Sequence, residues 1–222
     1  MSKDNIDNLT KFKIFDNISE SSKEKIKQNV IIKKVFNANE RVARKGDKLN
    51  HALLINKGCL RTLEYMIDGK EMVSSYYIES DAFPFYLHFG KTNHLPYDVY
   101  ALKKSEVLFL PFDIVENLIQ DDPVFMKNLL EFISEYTCFY RLLLRATQYN
   151  KVVQRIAYWL LHIDEIDSLK FPSSQNMLAN ILRVNRPSLN QELKRLSQLK
   201  IIKMNKMKFE ILNREYLENL IE

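Results

Sequence analysis

Glycine is scarce in this chain: there are four in 222 residues, standing singly at Gly46, Gly58, Gly69 and Gly90. A phosphate-cradling loop or a nucleophile elbow needs glycines grouped at fixed spacing, so neither can be built here. Histidine pairs at i, i+4 and CxxC spacing are also missing, which removes the common zinc signatures. The two cysteines, Cys59 and Cys138, cannot form a disulfide framework and are too few for a four-thiolate iron-sulfur cluster. They are expected to be buried, reduced thiols. No apolar run approaches the roughly 18 residues a membrane span needs, and no basic-then-apolar leader opens the chain. These absences argue against an enzyme and against membrane partners, and they predict a cytoplasmic protein with no cofactor and no metal site.

Hydrophobic residues, at 46% of the chain, supply enough material for real cores, and the length suits two small domains better than one. The net charge of +5 is unevenly placed: residues 151–222 hold twelve Lys or Arg against eight Asp or Glu. Steering and counterion release therefore assign a polyanion to the C-terminal part.

The basic excess concentrates between Ser173 and Lys208, where eight Lys or Arg face a single acid, Glu192. Ser173 or Ser174 can cap a helix whose apolar residues follow at Met177, Leu178, Ile181 and Leu182. Asn185 is a second cap, and Arg186 and Pro187 open a second helix where the missing proline N–H costs nothing. Leu189, Leu193, Leu196 and Leu199 form its inner stripe. The pattern is a helix-turn-helix, followed by a basic hairpin over Lys203–Phe209 with Asn205 and Lys206 at its tip. Arg186 and Gln191 are the expected base contacts. Ser188, Lys194, Lys206 and Lys208 suit phosphates, and Ser174, Gln175, Asn185, Pro187 and Arg195 complete the predicted DNA-facing set. A winged helix that binds protein instead of DNA is the rival reading.

From Val30 to Pro111 the chain reads as short strands (VIIKKVF, HALLINKG, CLRTLEYM, EMVSSYYI, DVYAL, EVLFL) separated by turns at Gly46, Gly58 and Gly69. An antiparallel roll results. The run FPFYLHFGKTNHLPY offers Phe83, Phe85, Tyr86, His88 and Tyr97 either as the walls of a pocket for a small apolar or peptide-like effector or as plain core filling.

Asp121-Asp122-Pro123 then starts a helix with apolar residues at Phe125, Leu129, Phe132, Tyr136, Phe139, Leu143 and Ala146. This is a heptad seam expected to pair with a second copy. Met126, Leu130, Ile133, Tyr140 and Leu144 form a second stripe, expected to cover the chain's own roll. Residues 151–163, KVVQRIAYWLLHI, open the last domain as an amphipathic helix with Trp159 in its core.

Ala179, the turn through Arg183 and Val184, and NRPSLNQELKRL followed by KIIK resemble the DNA-binding signature of the CRP/FNR family of bacterial transcription regulators. The preceding roll is similar to the sensor domain of that family. The resemblance implies an α+β protein with an N-terminal antiparallel β-roll of cyclic-nucleotide-binding type over residues 1–120, a dimerisation helix over 121–150 and a winged helix-turn-helix over 151–222. It implies a homodimer on double-stranded DNA at an inverted-repeat operator, with RNA polymerase and a small-molecule effector as further partners. Two departures mark the reading head. Arg183 replaces the family's turn glycine, and Pro187 replaces an acid that would accept from a cytosine amino group, so the preferred DNA sequence should differ. In the sensor, Pro84 and Phe85 occupy the Gly-Glu positions of the nucleotide cradle, and Leu95 and Pro96 the Arg-Ser positions. A cyclic phosphate loses its partners there, so neither cyclic AMP nor cyclic GMP is the expected effector. Some relatives bind haem through a histidine of this region, a role open to His88 or His94. The segment also resembles PrfA-like regulators, which lack the cradle and respond to glutathione.

Overall fold

The computed structural model describes residues 9, 11–28, 32–162 and 174–222, so Ser173 as an alternative cap lies outside the described residues. The chain forms two compact units, Met1–Ile133 and Ser134–Glu222. The division falls inside one long helix, whereas the sequence pattern marks that helix's two ends.

In the first unit, β1 (Ile32–Phe36), β3 (His51–Lys57), β6 (Ala82–Phe83) and β8 (Ser105–Pro111) form an antiparallel sheet in the order β1-β8-β3-β6. The second sheet, β2-β7-β4-β5, combines β2 (Arg41–Ala43), β4 (Cys59–Tyr65), β5 (Glu71–Ile78) and β7 (Asp98–Ala101). Sequence periodicity locates the six longer strands. The three-residue β2 and two-residue β6 are too short to carry a period. The turn from β3 to β4 needs glycine at Gly58, where φ is 107° and an added Cβ would stand 2.6 Å from the Ser105 Cα. Tyr77 of β5 stacks on Phe83 of β6 with centroids 3.7 Å apart, tying one sheet to the other.

Helix α1 (Glu20–Gln28) precedes the roll, and α2 (Phe85–Phe89) and α3 (Phe112–Asp121) interrupt and follow it. Neither α2 nor α3 is foreseen from the strand pattern. The buried Phe112, Ile114, Val115 and Leu118 give α3 its helical spacing. Together with Phe12, Phe15, Leu54, Leu108 and Leu110 they make one core. Cys59 is buried, and burial pushes its thiol up to about 11. Cys138 is exposed, contrary to expectation: it lies on the solvent side of its helix, next to the exposed Thr137.

Helix α4 (Pro123–Gln148) starts as its sequence predicts. Asp122 accepts from the Val124 and Phe125 N–H groups at 3.0 and 3.2 Å, capping the helix. Its other oxygen accepts from the Ser19 N–H at 2.8 Å and the Ser22 hydroxyl at 2.7 Å. One carboxylate thus joins α4 to the start of α1.

The seam assigned to a partner copy is corrected at its N-terminal end. Phe125 and Leu129 are 0% and 3% exposed, inside the first unit's core, where Phe125 stacks on Phe15 at 5.7 Å. Phe132 packs against the same core, while Phe139 and Leu143 pack against that of the second unit. Of the second stripe, Ile133 packs against the first unit's core as expected, whereas Met126, Leu130, Tyr140 and Leu144 lie outermost, 41, 59, 43 and 63% exposed. Two heptad stripes offset by one residue look alike in spacing; of the bulkier, aromatic-rich one, every member but Tyr136, half-buried and in neither core, goes to the chain's own cores.

In the second unit, α5 (Val152–His162), α6 (Gln175–Ile181), α7 (Arg186–Gln198) and α8 (Arg214–Asn219) surround a core holding Ile156, Trp159, Leu178, Leu182, Leu189, Leu193 and Leu196. Strands β9 (Ile202–Asn205) and β10 (Lys208–Ile211) form an antiparallel hairpin. Leu199 leaves the predicted inner stripe and is half exposed, because α7 ends at Gln198 and the chain turns at Lys200 with φ of 56°.

Burial raises the Asp122 carboxyl, but hydrogen bonds from Ser22, Ser19 and Phe125 overcome it and bring it down to about 2. A carboxyl lowered in the folded state stabilises fully above its unfolded value, roughly 3.9, and that contribution fades as pH falls toward 2. Replacing Asp122 with Asn should cost about 1–3 kcal/mol in urea unfolding at pH 6. The gap between variant and wild type should narrow as pH falls from 4 to about 2.

Candidate nucleic-acid interface

The Ser174 hydroxyl accepts from the Met177 N–H at 3.2 Å and starts α6. The Asn185 side chain accepts from the Ser188 N–H at 2.8 Å and starts α7, with Pro187 in its first turn. Between the two helices Arg183 adopts φ of 56°. This is the left-handed region, which disfavours a side-chain-bearing residue relative to glycine by about 1–2 kcal/mol. Backbone bonds from Arg183 N–H to Asn180 O at 3.2 Å and from Val184 N–H to Ala179 O at 2.9 Å close the turn.

Leu189, Leu193 and Leu196 are buried, leaving Arg186, Pro187, Gln191, Lys194 and Arg195 exposed and Ser188 half-buried. The hairpin is anchored through Phe209, whose ring meets Trp159 edge-on at 5.5 Å. Ser174, Gln175, Asn176, Arg186, Lys206 and Met207 line one open groove of about 380 Å³. Four of these come from the predicted set and converge from α6, α7 and the hairpin tip. Asn176 and Met207 join them without any sequence signal beyond proximity. Asn185 and Lys208 are exposed outside the groove lining.

The cations are not equivalent. Arg195 pairs with Glu192 at 3.1 Å and Lys203 with Glu210 at 3.4 Å. Among the described residues, Arg186, Lys194, Lys206 and Lys208 have no carboxylate within 4.0 Å. Their charge is left for an external anion. The Pro187 side chain carries no hydrogen-bond acceptor.

The predicted effector residues do not gather around one opening. Phe83 is taken up by Tyr77, and Phe85 is buried, edge-on to Phe112 at 6.2 Å and to Phe132 at 6.1 Å. His88 stacks on Phe112 at 3.9 Å, with its Nε2 2.8 Å from Glu116 Oε1. Tyr86 is exposed and donates its hydroxyl to that of Tyr97 at 3.2 Å. Pro84 and Leu95, at two of the cradle positions, are buried. Among the described residues no group of three His, Cys, Asp or Glu could hold a metal ion, and no helix is long and apolar enough to cross a membrane.

Residues 33–122 match the cyclic nucleotide-binding domain family and residues 154–220 the Crp-like helix-turn-helix domain family. No curated protein matches the sequence. FixK2 from Bradyrhizobium japonicum is similar in structure, with 14% identity and a TM-score of 0.64 over 86% of this chain and 98% of that one. A CooA variant from Carboxydothermus hydrogenoformans is similar at 15% identity and a TM-score of 0.67, over 92% and 91%. For DNR from Pseudomonas aeruginosa the values are 16% and 0.53, over 99% of each chain. At these identities the likeness concerns the fold. An antiparallel roll of the cyclic-nucleotide-binding type, one long helix and a Crp-like helix-turn-helix, in that order along the sequence, make this chain a member of the CRP/FNR family of transcription regulators.

Proposed function

We propose that this chain is a homodimeric, cytoplasmic transcription regulator that reads an inverted-repeat DNA operator in response to an intracellular signal other than a cyclic nucleotide. The observation that carries the reading is the groove where Arg186 and Lys206 meet Ser174 and Gln175. Two exposed cations and two neutral polar side chains around one concavity suit a phosphate backbone with base edges beside it. Arg186 and Gln191 contact bases. Ser188, Lys194, Lys206 and Lys208 contact phosphates, and Arg195, drawn toward Glu192, contributes less. Asn185 and Pro187 shape the start of α7 on the DNA.

The dimer is assigned to the outer stripe of α4. Met126 and Tyr140 stand two heptads apart, as do Leu130 and Leu144, and all four are exposed. That repeat is what two helices side by side need, and large exposed side chains at it call for cover. A parallel pair brings two α7 helices to half-sites about one DNA turn apart. RNA polymerase is the further partner that transcription control implies.

The signal acts on the roll without the usual cradle. A cyclic phosphate at these positions meets the buried apolar groups Pro84, Phe85 and Leu95 and the exposed ring of Pro96, none of them a charge partner, and its desolvation is left without compensation.

Selecting duplexes from a random pool should enrich an inverted repeat, with affinity falling steeply as salt rises; an absence of enrichment would refute the reading. On the selected duplex, Arg186→Ala should cost about 1–3 kcal/mol and relax preference at one position per half-site. Leu130→Asp with Leu144→Asp should give monomers in sedimentation and lose specific binding, whereas a persisting dimer would place the seam elsewhere. Calorimetric titration with cyclic AMP should give no heat at micromolar concentration.

A further inference from the structure

We propose that Arg155 is the positioning residue of the reading head, holding the turn between α6 and α7 in the conformation that presents Arg186. The proposal rests on the DNA-binding reading above. Arg155 is half-buried on α5 and lies outside the groove lining. Its Nη1 donates to Leu182 O at 3.0 Å and to Arg183 O at 2.9 Å, and its Nε donates to Tyr149 O at 2.7 Å.

The first two acceptors lie where a helix runs out of backbone donors. Leu182 caps the end of α6, and the backbone bonds of the turn use other carbonyls, those of Leu178, Ala179 and Asn180. A guanidinium at a helix C-terminus also meets the negative end of its dipole, and charged donors make the stronger hydrogen bonds. The effect matters more in this chain than in one with glycine at the turn. Arg183 is held at φ of 56° with a side chain on it, a conformation that persists only when its surroundings over-determine it. Arg155 supplies that determination by bonding the carbonyls on both sides of the strained Cα. Its third bond reaches Tyr149, directly after α4, so the same guanidinium ties the segment leaving α4 to the turn that aims α7. An ammonium in its place could donate to the two turn carbonyls but has no second nitrogen, held at a fixed angle to the first, with which to reach Tyr149 O at the same time.

The test uses the full chain, the duplex selected from the random pool, and a scrambled duplex, with binding read by fluorescence anisotropy. Arg155→Lys and Arg155→Ala should each weaken binding to the selected duplex about tenfold while leaving the scrambled duplex within about twofold and the salt slope unchanged. In an Arg183→Gly background, where left-handed backbone is unstrained, the same change at Arg155 should cost less than about threefold. A merely structural role would lower the active fraction in stoichiometric titration and leave the ratio between duplexes intact. If Arg155→Ala does not fold, Arg155→Lys carries the measurement. Wild-type discrimination in Arg155→Lys, or an equal loss with and without Arg183→Gly, overturns the assignment. If the wild-type chain prefers no duplex, the DNA reading itself falls, and this assignment with it.

Discussion

A 26-residue helix that is apolar on more than one face has to be covered on more than one side. The rest of the structure follows from how α4 meets that demand. Its N-terminal turns give Phe125 and Leu129 to the core of the roll, and its C-terminal turns give Leu142 and Ala146 to the core of the second unit. Each fully buried Phe or Leu contributes about 1.5–3 kcal/mol, so these side chains claim the available interior first. What remains outside is Met126, Leu130, Tyr140 and Leu144, which neither core takes. Their two-heptad repeat makes the leftover surface regular, and regularity is what a second copy needs.

Much of this was legible in the sequence where a local rule operates alone. The caps at Ser174, Asn185 and Asp122 follow from side-chain oxygens placed before apolar spacing, and the structure contains all three. The six longer strands follow from alternation. The failures share one cause: local pattern does not contain tertiary choice. The heptad count finds both stripes of α4 but not which one the roll will take. Leu199 fits the spacing of Leu189, Leu193 and Leu196, yet the helix stops before it. Arg155 looks like any polar position on an amphipathic helix, because its acceptors at Leu182 and Arg183 lie 27 and 28 residues away.

The sensor region illustrates the same limit in chemical terms. An aromatic run reads equally as pocket wall and as core, and here Phe83 and Phe85 pack as core while Tyr86 turns outward. Filling the cradle positions with Pro84, Phe85 and Leu95 replaces a polar, phosphate-sized need with apolar contacts already made inside the chain. A ligand entering there would have to displace packed aromatic surface before gaining anything of its own. A regulatory ligand works only through its different affinity for two arrangements. The half-buried ring of His88, held between Phe112 and Glu116, and the hydroxyl pair of Tyr86 and Tyr97 are polar features at the edge of that packing.

The scarcity of glycine leaves a last trace in the reading head. Seven non-glycine residues with positive φ stand among the described residues against three glycines, and three of the seven, Arg183, Lys200 and Lys206, lie within the reading unit. All three are cations at turns. A glycine at each would relieve backbone strain but remove an exposed cation from the unit. Lys206 lines the groove itself, while Arg183 and Lys200 are exposed near it in sequence. At a turn, a left-handed residue points its side chain away from the closing hydrogen bonds and into solvent. The unit therefore accepts local strain where it gains charge facing outward. That exchange is favourable only while the turn is held from behind, which places the demand on the second unit's own interior: Ala179 and Leu182 in the core and the guanidinium of Arg155 at the end of α6.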